Sequence, residues 1–355
     1  MTYYAGLDVS LKKTAICIVD DAGTILREGT ADTDPDLLRA WLVDTGLTFE
    51  RIGLEAGQCS GWLHAGLVRA GMPAICIETR HAKAVMKAQN VKTDRNDARA
   101  IAQMMRTGWF KPVHVKGEQS QKIRALMGSR RCLLDKRLDI ENHIRGTLRI
   151  FGLKIGAVRL ADFETRVREL MANDGDLQAC IGPLLDVRRK LHAEFRTLTR
   201  IILGLVRKDE ACRRLMTAPG VGPLTALAFK TAIDDPSRFH KSRQVGVHFG
   251  LTPRKYASGQ IDYNGHITRC GDAFMREHLF EAANSLMLRT KRWCSLKAWG
   301  MRIAKRSSMK NARVAVARKL AVILHRMWRD GTESDGARKR RSLQPEGHPE
   351  YGQGP

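Results

Sequence analysis

Apolar and polar positions alternate in short runs at the start of the chain. Residues 3–9, 14–19 and 24–28 each have the length and the alternation of a strand, and the turn-forming segment 20–23 separates the last two. Three consecutive strands joined by tight turns predict a β-meander.

The pattern then changes to alternating helices and strands. We expect helices at residues 36–45 and 62–69 and from about Thr93-Asp94 onward, and strands at 51–55 and 74–77. A meander followed by α/β alternation predicts a mixed five-stranded sheet flanked by helices, in which the strand at 51–55 can lie beside the first.

Long amphipathic helices are predicted in the middle of the chain. Leucine, isoleucine and methionine recur at steps of three and four residues over 123–148 and 177–205, with breaks at 152–156 and 173–175. This spacing predicts a helical arm. A coiled coil that dimerises the protein and an internal two-helix hairpin both fit the pattern.

The C-terminal part is predicted to be helical. Residues 215–226 have the form of two helices joined by a turn containing Gly220 and Gly222, whose backbone N–H groups could approach a phosphate, although a plain loop fits the same residues. A closing helix over 311–328 has one apolar and one basic side.

The predicted fold class is therefore α/β plus mostly α, in four segments. They are a mixed-sheet domain at 1–112, a helical arm at 113–210, a helical C-terminal domain at 211–330, and a tail at 331–355 whose proline, glycine and charge predict disorder.

The net charge of +24 is concentrated in one part of the chain. Residues 1–90 contain 9 Lys/Arg and 11 Asp/Glu, whereas residues 91–330 contain 48 and 22. Such a basic body attracts polyanions. The charge alone also fits a protein that coats RNA.

Other features of composition predict where the protein works. No apolar run approaches the ~20 residues of a membrane span, and the N-terminus lacks a basic leader. The eight cysteines are scattered, without zinc spacing. We expect a soluble cytoplasmic protein with reduced thiols that does not enter the membrane.

Four carboxylates could converge on this frame. Asp8 lies in the first strand, Glu55 ends the strand expected beside it, and Asp94 and Asp97 lie three residues apart at a helix start. Clustered carboxylates take up protons unless divalent cations hold them ionised, and Mg²⁺ or Mn²⁺ suits oxygen ligands. Two such ions can clamp a phosphodiester. Helix capping by Asp94 and Asp97, or solvation of the two strand ends, would explain each acid singly.

Three strings resemble the DEDD motif of the IS110-type insertion-sequence transposases, relatives of the Piv-like DNA invertases. They are Gly6-Leu7-Asp8-Val9-Ser10, Leu54-Glu55-Ala56 and, most specifically, Lys92-Thr93-Asp94-Arg95-Asn96-Asp97-Ala98. The likeness covers nearly the whole chain apart from the tail. It implies a RuvC-like, RNase H-related domain whose four acids bind Mg²⁺, and a helix-hairpin-helix segment around Gly220 and Gly222.

Ser258 is the candidate nucleophile. Taken alone, Ser258-Gly259 predicts only a turn. The basic neighbours could activate the hydroxyl and bind a phosphate; they are Arg254, Lys255, His266 and Arg269. The family resemblance implies that Ser258 forms a covalent link to DNA, although Gln260-Ile261-Asp262 departs from the family's more basic, glycine-rich continuation.

The resemblance implies a transposase that cleaves and rejoins donor and target DNA, guided by an RNA from the element. It also implies a homo-oligomer, a dimer or a tetramer, associated with the bacterial nucleoid. A RuvC-like junction nuclease that uses water alone is the alternative. A sugar-kinase or actin-like ATPase should carry further phosphate and adenosine loops, which the sequence lacks, and a non-catalytic RNA-binding protein would not need the acids.

Overall fold

The computed structural model describes residues 1–87, 92–291 and 293–334. The chain divides into two compact units, Met1–Gly117 and Glu118–Pro355. Most of the segment predicted to be a disordered tail, residues 335–355, lies outside the described residues.

The first unit is a sheet flanked by helices. Its elements are β1 (Tyr3–Val9), β2 (Lys13–Val19), β3 (Ile25–Asp32), α1 (Pro35–Val43), β4 (Phe49–Glu55), α2 (Ser60–Arg69), β5 (Ala74–Ile77), α3 (Thr79–Met86) and α4 (Asp94–Thr107). The five strands lie in the order β3-β2-β1-β4-β5. Strands β1 to β3 are antiparallel, and β4 pairs in parallel with both β1 and β5. The predicted mixed α/β sheet, with the fourth strand beside the first, is confirmed.

Each face of this sheet buries a separate core. Leu7 of β1 and Leu54 of β4 pack with the leucines of α1 and α2. On the other face, Tyr4 of β1 and Cys17 of β2 pack with the apolar side of α4. Because strand side chains alternate between faces, Asp8 and Glu55 belong to the α4 face.

The second unit is mostly helical. Its elements are α5 (Glu118–Ile150), α6 (Phe163–Leu170), α7 (Gly175–Lys208), α8 (Glu210–Leu215), α9 (Pro223–Ile233), α10 (Arg243–His248), β6 (Pro253–Ser258), β7 (Ile261–Ile267), α11 (Ala273–Asn284), α12 (Ser295–Arg306) and α13 (Met309–Arg329). Helix α11 continues into a π-helical turn over 285–289. Helices α9, α11 and α13 share one apolar core with α8 and α10.

The helical arm is an internal hairpin. Helices α5 and α7 run antiparallel, since Arg130 bonds the Thr199 hydroxyl at 2.8 Å and Arg188 bonds Glu141 at 2.8 Å. Arg188 is buried and also donates to the Leu160 carbonyl at 3.0 Å, so its charge is paired inside the seam. Of the two arrangements that fit the sequence, the described residues form the hairpin within one chain.

A β-hairpin lies within the C-terminal part, for which helices and a turn at Ser258-Gly259 were predicted. Strands β6 and β7 pair antiparallel around Gly259-Gln260. Tyr256 and Ser258 lie two positions apart on one face of the hairpin, as do Ile261 and Tyr263. This is the two-residue period of strands, and it was missed in the sequence. None of the described helices is long and apolar enough to cross a membrane.

Candidate active site

Two glycines let α4 lie directly on the sheet. Gly6 of β1 and Gly53 of β4 are neighbours in the parallel register. A Cβ on Gly6 would lie 2.2 Å from the Ala98 carbonyl oxygen, and one on Gly53 would lie 2.8 Å from Cγ2 of Ile101. Only strands without side chains here can accept the helix at this depth.

The glycine pair places the acids. Asp8 and Glu55 each follow a glycine by two residues, so they project from the same face at the carboxyl ends of neighbouring strands, which are about 4.8 Å apart. Helix α4 begins at Asp94 and contains the buried Asp97 in its first turn. Its N-cap is Thr93, whose side chain accepts from Asn96 N–H at 3.2 Å.

The electrostatics show that the four acids share one environment. Burial, followed by the charges of Asp97, Asp94 and Glu55, raises the pKa of Asp8 from 3.8 to about 6. Burial also raises the pKa of Glu55, and Asp97 adds to this while Lys83 opposes it. The structure thus brings the predicted acids into mutual electrostatic contact, and Lys83 and Lys92 offset this negative charge only in part.

Asp8 and Glu55 also line one cleft of about 710 Å³. Its other lining residues are Val9, Ser10, Leu11, Lys12, Ala56, Gly57, Gln58, Cys59 and Ser60. In the part of the chain that the structure describes, no three Asp, Glu, His or Cys side chains converge as a preformed metal-ligand set. The donor chemistry fits a hard divalent cation, because the candidate ligands are all carboxylates, and burial and mutual repulsion disfavour ionisation of Asp8 without one.

A carboxylate outside the predicted set anchors α4. Glu28 of β3 pairs with Arg95 and bonds Nε of Arg99 at 2.6 Å. Hydrogen bonds from Arg99 and Arg95 lower the pKa of Glu28 from 4.5 to about 2. This role of Glu28 was not predicted from the sequence, although Arg95 and Arg99 have the i,i+4 spacing of one helix face.

Ser258 lies at the tip of the β6–β7 hairpin, where it pairs with Ile261. Gly259 has φ +53 at the first position of the two-residue turn, the arrangement of a type II′ turn. Every residue of β6 is exposed, including Ser258. The serine is therefore accessible to a macromolecular substrate.

The structure separates the cations predicted around this serine. Arg254 shares the strand face of Ser258, but Lys255 points to the other face and pairs with Asp262 at 3.1 Å. Arg269 follows the end of β7, at the base of the hairpin, where its N–H donates to the Gly250 carbonyl at 3.1 Å. Only part of the predicted set can thus meet a phosphate at the serine without rearrangement.

The base of the hairpin is held tightly. Gly250 has φ +64, and a Cβ there would lie 2.3 Å from the backbone nitrogen of Cys270. One terminal nitrogen of Arg276 in α11 donates to the carbonyls of Cys270 at 2.6 Å, Gly271 at 3.2 Å and Phe249 at 3.3 Å. The exposed tip that carries Ser258 is thus joined to a base held by these close backbone contacts and hydrogen bonds.

The two glycines predicted to contact nucleic acid lie between α8 and α9. Gly220 has φ +83, and a Cβ there would lie 2.5 Å from the Ala282 carbonyl oxygen of α11, so packing alone requires a glycine. Gly222 is the N-cap of α9, and no described atom lies within 4 Å of an added Cβ. Of the two, only Gly222 leaves its surroundings open.

Comparison with known proteins identifies the family. A transposase model matches residues 5–152, and a model described as transposase IS116/IS110/IS902 family matches residues 212–298. A probable family 20 transposase of Pseudomonas aeruginosa is 30% identical over 243 residues, which are 66% of this chain and 71% of the relative. The chain belongs to the IS110 family of transposases. It is thus an enzyme that processes DNA.

Further relatives agree with this assignment. The transposase is 28% identical to that of insertion sequence element IS1111A from Coxiella burnetii, over 90% of this chain and 87% of the relative. Thermus thermophilus RuvC in complex with a Holliday junction substrate is 16% identical and covers 32% of the transposase and 100% of RuvC. The TM-score of 0.25 is too low for that likeness to support a conclusion.

Proposed function

We propose that this transposase cuts and rejoins the DNA of an insertion sequence through a covalent serine intermediate, with Asp8, Glu55, Asp94 and Asp97 as its metal ligands. The observation that carries the proposal is the placement of Asp8 and Glu55 at the ends of neighbouring strands on the face covered by α4, where burial and the other three acids raise the pKa of Asp8. Carboxylates held this way under a helix favour a bound cation over a purely structural role.

Mg²⁺, or Mn²⁺ in its place, would be held by these carboxylates and would polarise a phosphoryl oxygen as a Lewis acid. The acids themselves supply ionised oxygens once Asp8 gives up its proton. The paired glycines Gly6 and Gly53 let α4 lie close to the sheet, since a Cβ at either position would lie within 3 Å of an atom of that helix. Divalent-metal dependence also fits the DEDD family to which the chain belongs.

Ser258 would supply the nucleophile. Its Oγ forms a bond to the phosphorus of a DNA strand, the bond from phosphorus to the leaving oxygen breaks, and that oxygen leaves as a hydroxyl with a proton. A hydroxyl of the new partner strand then attacks the phosphoserine and releases Ser258. One phosphodiester bond is exchanged for another, so no ATP is needed.

Nucleic-acid contacts and assembly complete the proposal. The basic residues of 91–330 would bind donor and target DNA and an element-encoded guide RNA. Arg254, Lys255 and Arg269 would contact phosphates, and Gly222, with Gly220 fixing the turn, would present backbone N–H groups as in a helix-hairpin-helix. A homo-oligomer would assemble the working complex, although the arm seam is already filled within one chain.

Trapping the adduct tests this function. Full-length protein is incubated with DNA carrying the element ends and Mg²⁺, then run on denaturing gels. We expect a protein–DNA adduct with the natural sequence, none with Ser258→Ala, and unchanged DNA binding in both. Asp8→Asn should also abolish the adduct.

The rival functions give different results in the same experiment. Strand cleavage that persists in Ser258→Ala without an adduct would identify a junction nuclease that uses water. Binding without any cleavage, unaffected by Asp8→Asn, would identify a nucleic-acid-binding protein. Either outcome overturns the serine mechanism.

A further inference from the structure

The hairpin that carries Ser258 has two chemically different faces. On the serine face, Tyr256 pairs across the strands with Tyr263, and Ser258 pairs with Ile261. On the opposite face lie Lys255, Ala257, Asp262 and Asn264. We use the name tyrosine face for Tyr256, Ser258, Ile261 and Tyr263.

The two tyrosine rings form a stack that is open to solvent. Their centroids lie 4.9 Å apart with an interplanar angle of 19°. Tyr256 is 44% exposed and Tyr263 56% exposed, and Ile261 beside them is 59% exposed. An isolated two-stranded hairpin is marginally stable in water, so three large exposed side chains on one face require an explanation.

A glycine on the neighbouring strand fixes the position of the stack. A Cβ on Gly265 would lie 3.0 Å from Cε2 of Tyr256, so the ring lies over the place where that side chain would stand. Tyr256 is thus held between Gly265 and Tyr263. The outer side of Tyr263 remains available for a further flat partner.

The distances suit a nucleotide beside the reacting phosphate. Tyr256 precedes Ser258 by two strand residues, a separation of roughly 7 Å. Tyr263 is the diagonal neighbour of Ser258 on the other strand of the hairpin. Two stacked bases also span about 7 Å along a strand. A base stacked on the tyrosines would therefore lie within one or two nucleotides of a phosphate at the serine.

Charge favours a nucleic acid as the occupant. Arg254 is the hairpin cation that shares the face of the stack, and the single acid of the hairpin, Asp262, pairs with Lys255 on the opposite face. A protein partner would need to cover apolar area, whereas a DNA strand offers both a ring face for Tyr263 and a phosphate for Arg254.

We propose that the stacked pair Tyr256–Tyr263 is a platform for an unpaired base of the DNA strand whose phosphate Ser258 attacks. The inference rests on the proposed role of Ser258 and adds a binding subsite to it. Stacking there would hold the strand single at the cleavage position and orient its backbone toward the serine hydroxyl.

The test uses full-length protein and a single-stranded DNA oligonucleotide containing 2-aminopurine, whose fluorescence falls when it stacks on an aromatic ring. We expect quenching with the natural protein and with Tyr263→Phe. Tyr263→Leu should weaken binding about tenfold and remove the quenching, in line with the usual contribution of one base–aromatic stack. Asn264→Ala, on the opposite face of the same strand, is the matched control and should behave like the natural protein.

Several results would overturn the proposal. The first is undiminished quenching with Tyr263→Leu, and the second is equal quenching when the probe lies in a fully paired duplex. The third is stronger binding of the same sequence as RNA, and the fourth is a change in oligomeric state as the main effect of Tyr263→Leu. Two readouts, the quenching and the adduct, separate this proposal from the proposed function. If the natural protein quenches the fluorescence but forms no adduct, the serine mechanism alone is contradicted. If the adduct forms, Tyr263→Leu leaves it intact and no variant quenches the fluorescence, the platform alone is contradicted.

Discussion

The acids and the serine are presented in opposite ways. Asp8 and Glu55 project from a sheet whose glycines fit against α4, and Asp97 is buried in the first turn of that helix. Ser258 stands at the end of a hairpin strand in which every residue is exposed. The comparison indicates that the proposed metal ligands are held in place by packing before substrate arrives, whereas the proposed nucleophile remains open to a large strand.

The largest effect is expected where the acid site is packed most tightly. Gly6→Ala places a Cβ 2.2 Å from the Ala98 carbonyl oxygen, so α4 must move, and we expect a loss of about 3 kcal/mol in the free energy of unfolding. Denaturant titration measures this loss.

Gly57→Ala is the matched control, since the Glu55 carbonyl oxygen, at 4.0 Å, is the nearest described atom to its added Cβ. It should change stability by less than about 0.5 kcal/mol. An equal loss in both variants would contradict the tight fit of α4.

The anchor of α4 should have the next largest effect. Glu28→Gln removes the partner of Arg95 and Arg99 and should cost about 1–2 kcal/mol at pH 7. Because the pKa of Glu28 is lowered to about 2, its contribution is present above pH 4.5 and is lost as the pH falls toward 2. Chemical unfolding at several pH values should show that Glu28→Gln flattens this dependence.

Asp8 should show the opposite dependence. Its pKa is raised to about 6, so the metal-free protein loses stability as the pH rises from about 4 through 6, where the unfolded chain ionises first. After allowance for solvent screening, Asp8→Asn should raise the free energy of unfolding at pH 7 by about 1 kcal/mol. A more stable variant that has lost cleavage would be the expected mark of a functional carboxylate.

The smallest effect is expected on the hairpin. Lys255→Met breaks the pair with Asp262, but both side chains are more than 60% exposed, at 62% and 63%. Such surface pairs contribute little, so the melting temperature should stay within about 1 °C. A large fall would show that the hairpin is stabilised as strongly as the acid site.

Much of the first unit could be predicted from sequence because its patterns are local. Strand alternation defined β1 to its ends at Tyr3 and Val9, and the Lys-Thr-Asp string located the start of α4. Helix α3 was not predicted; along its eight residues only Ala82 is fully buried, and Val85 and Met86 pack against the core only in part.

Long-range pairing explains what sequence could not provide. The contact of Glu28 with Arg99 joins residues 71 positions apart, and no local pattern encodes it. Position 220 likewise requires a glycine because of the Ala282 carbonyl in α11, which is distant in sequence. At the hairpin, the turn residues were recognised, but the alternation beside them was hidden by polar residues on both faces.

The base of the β6–β7 hairpin is closed by hydrogen bonds, so the hairpin can be exchanged as a unit. Thr268 N–H bonds the Thr252 carbonyl at 2.9 Å, and Arg276 gathers the carbonyls just below that point. Residues 253–266 could therefore be replaced by a short turn, or by the corresponding strands of a relative, while Ile267 keeps its packing against the helices beneath. Hybrid enzymes built this way would transfer Ser258 and its surroundings as one segment.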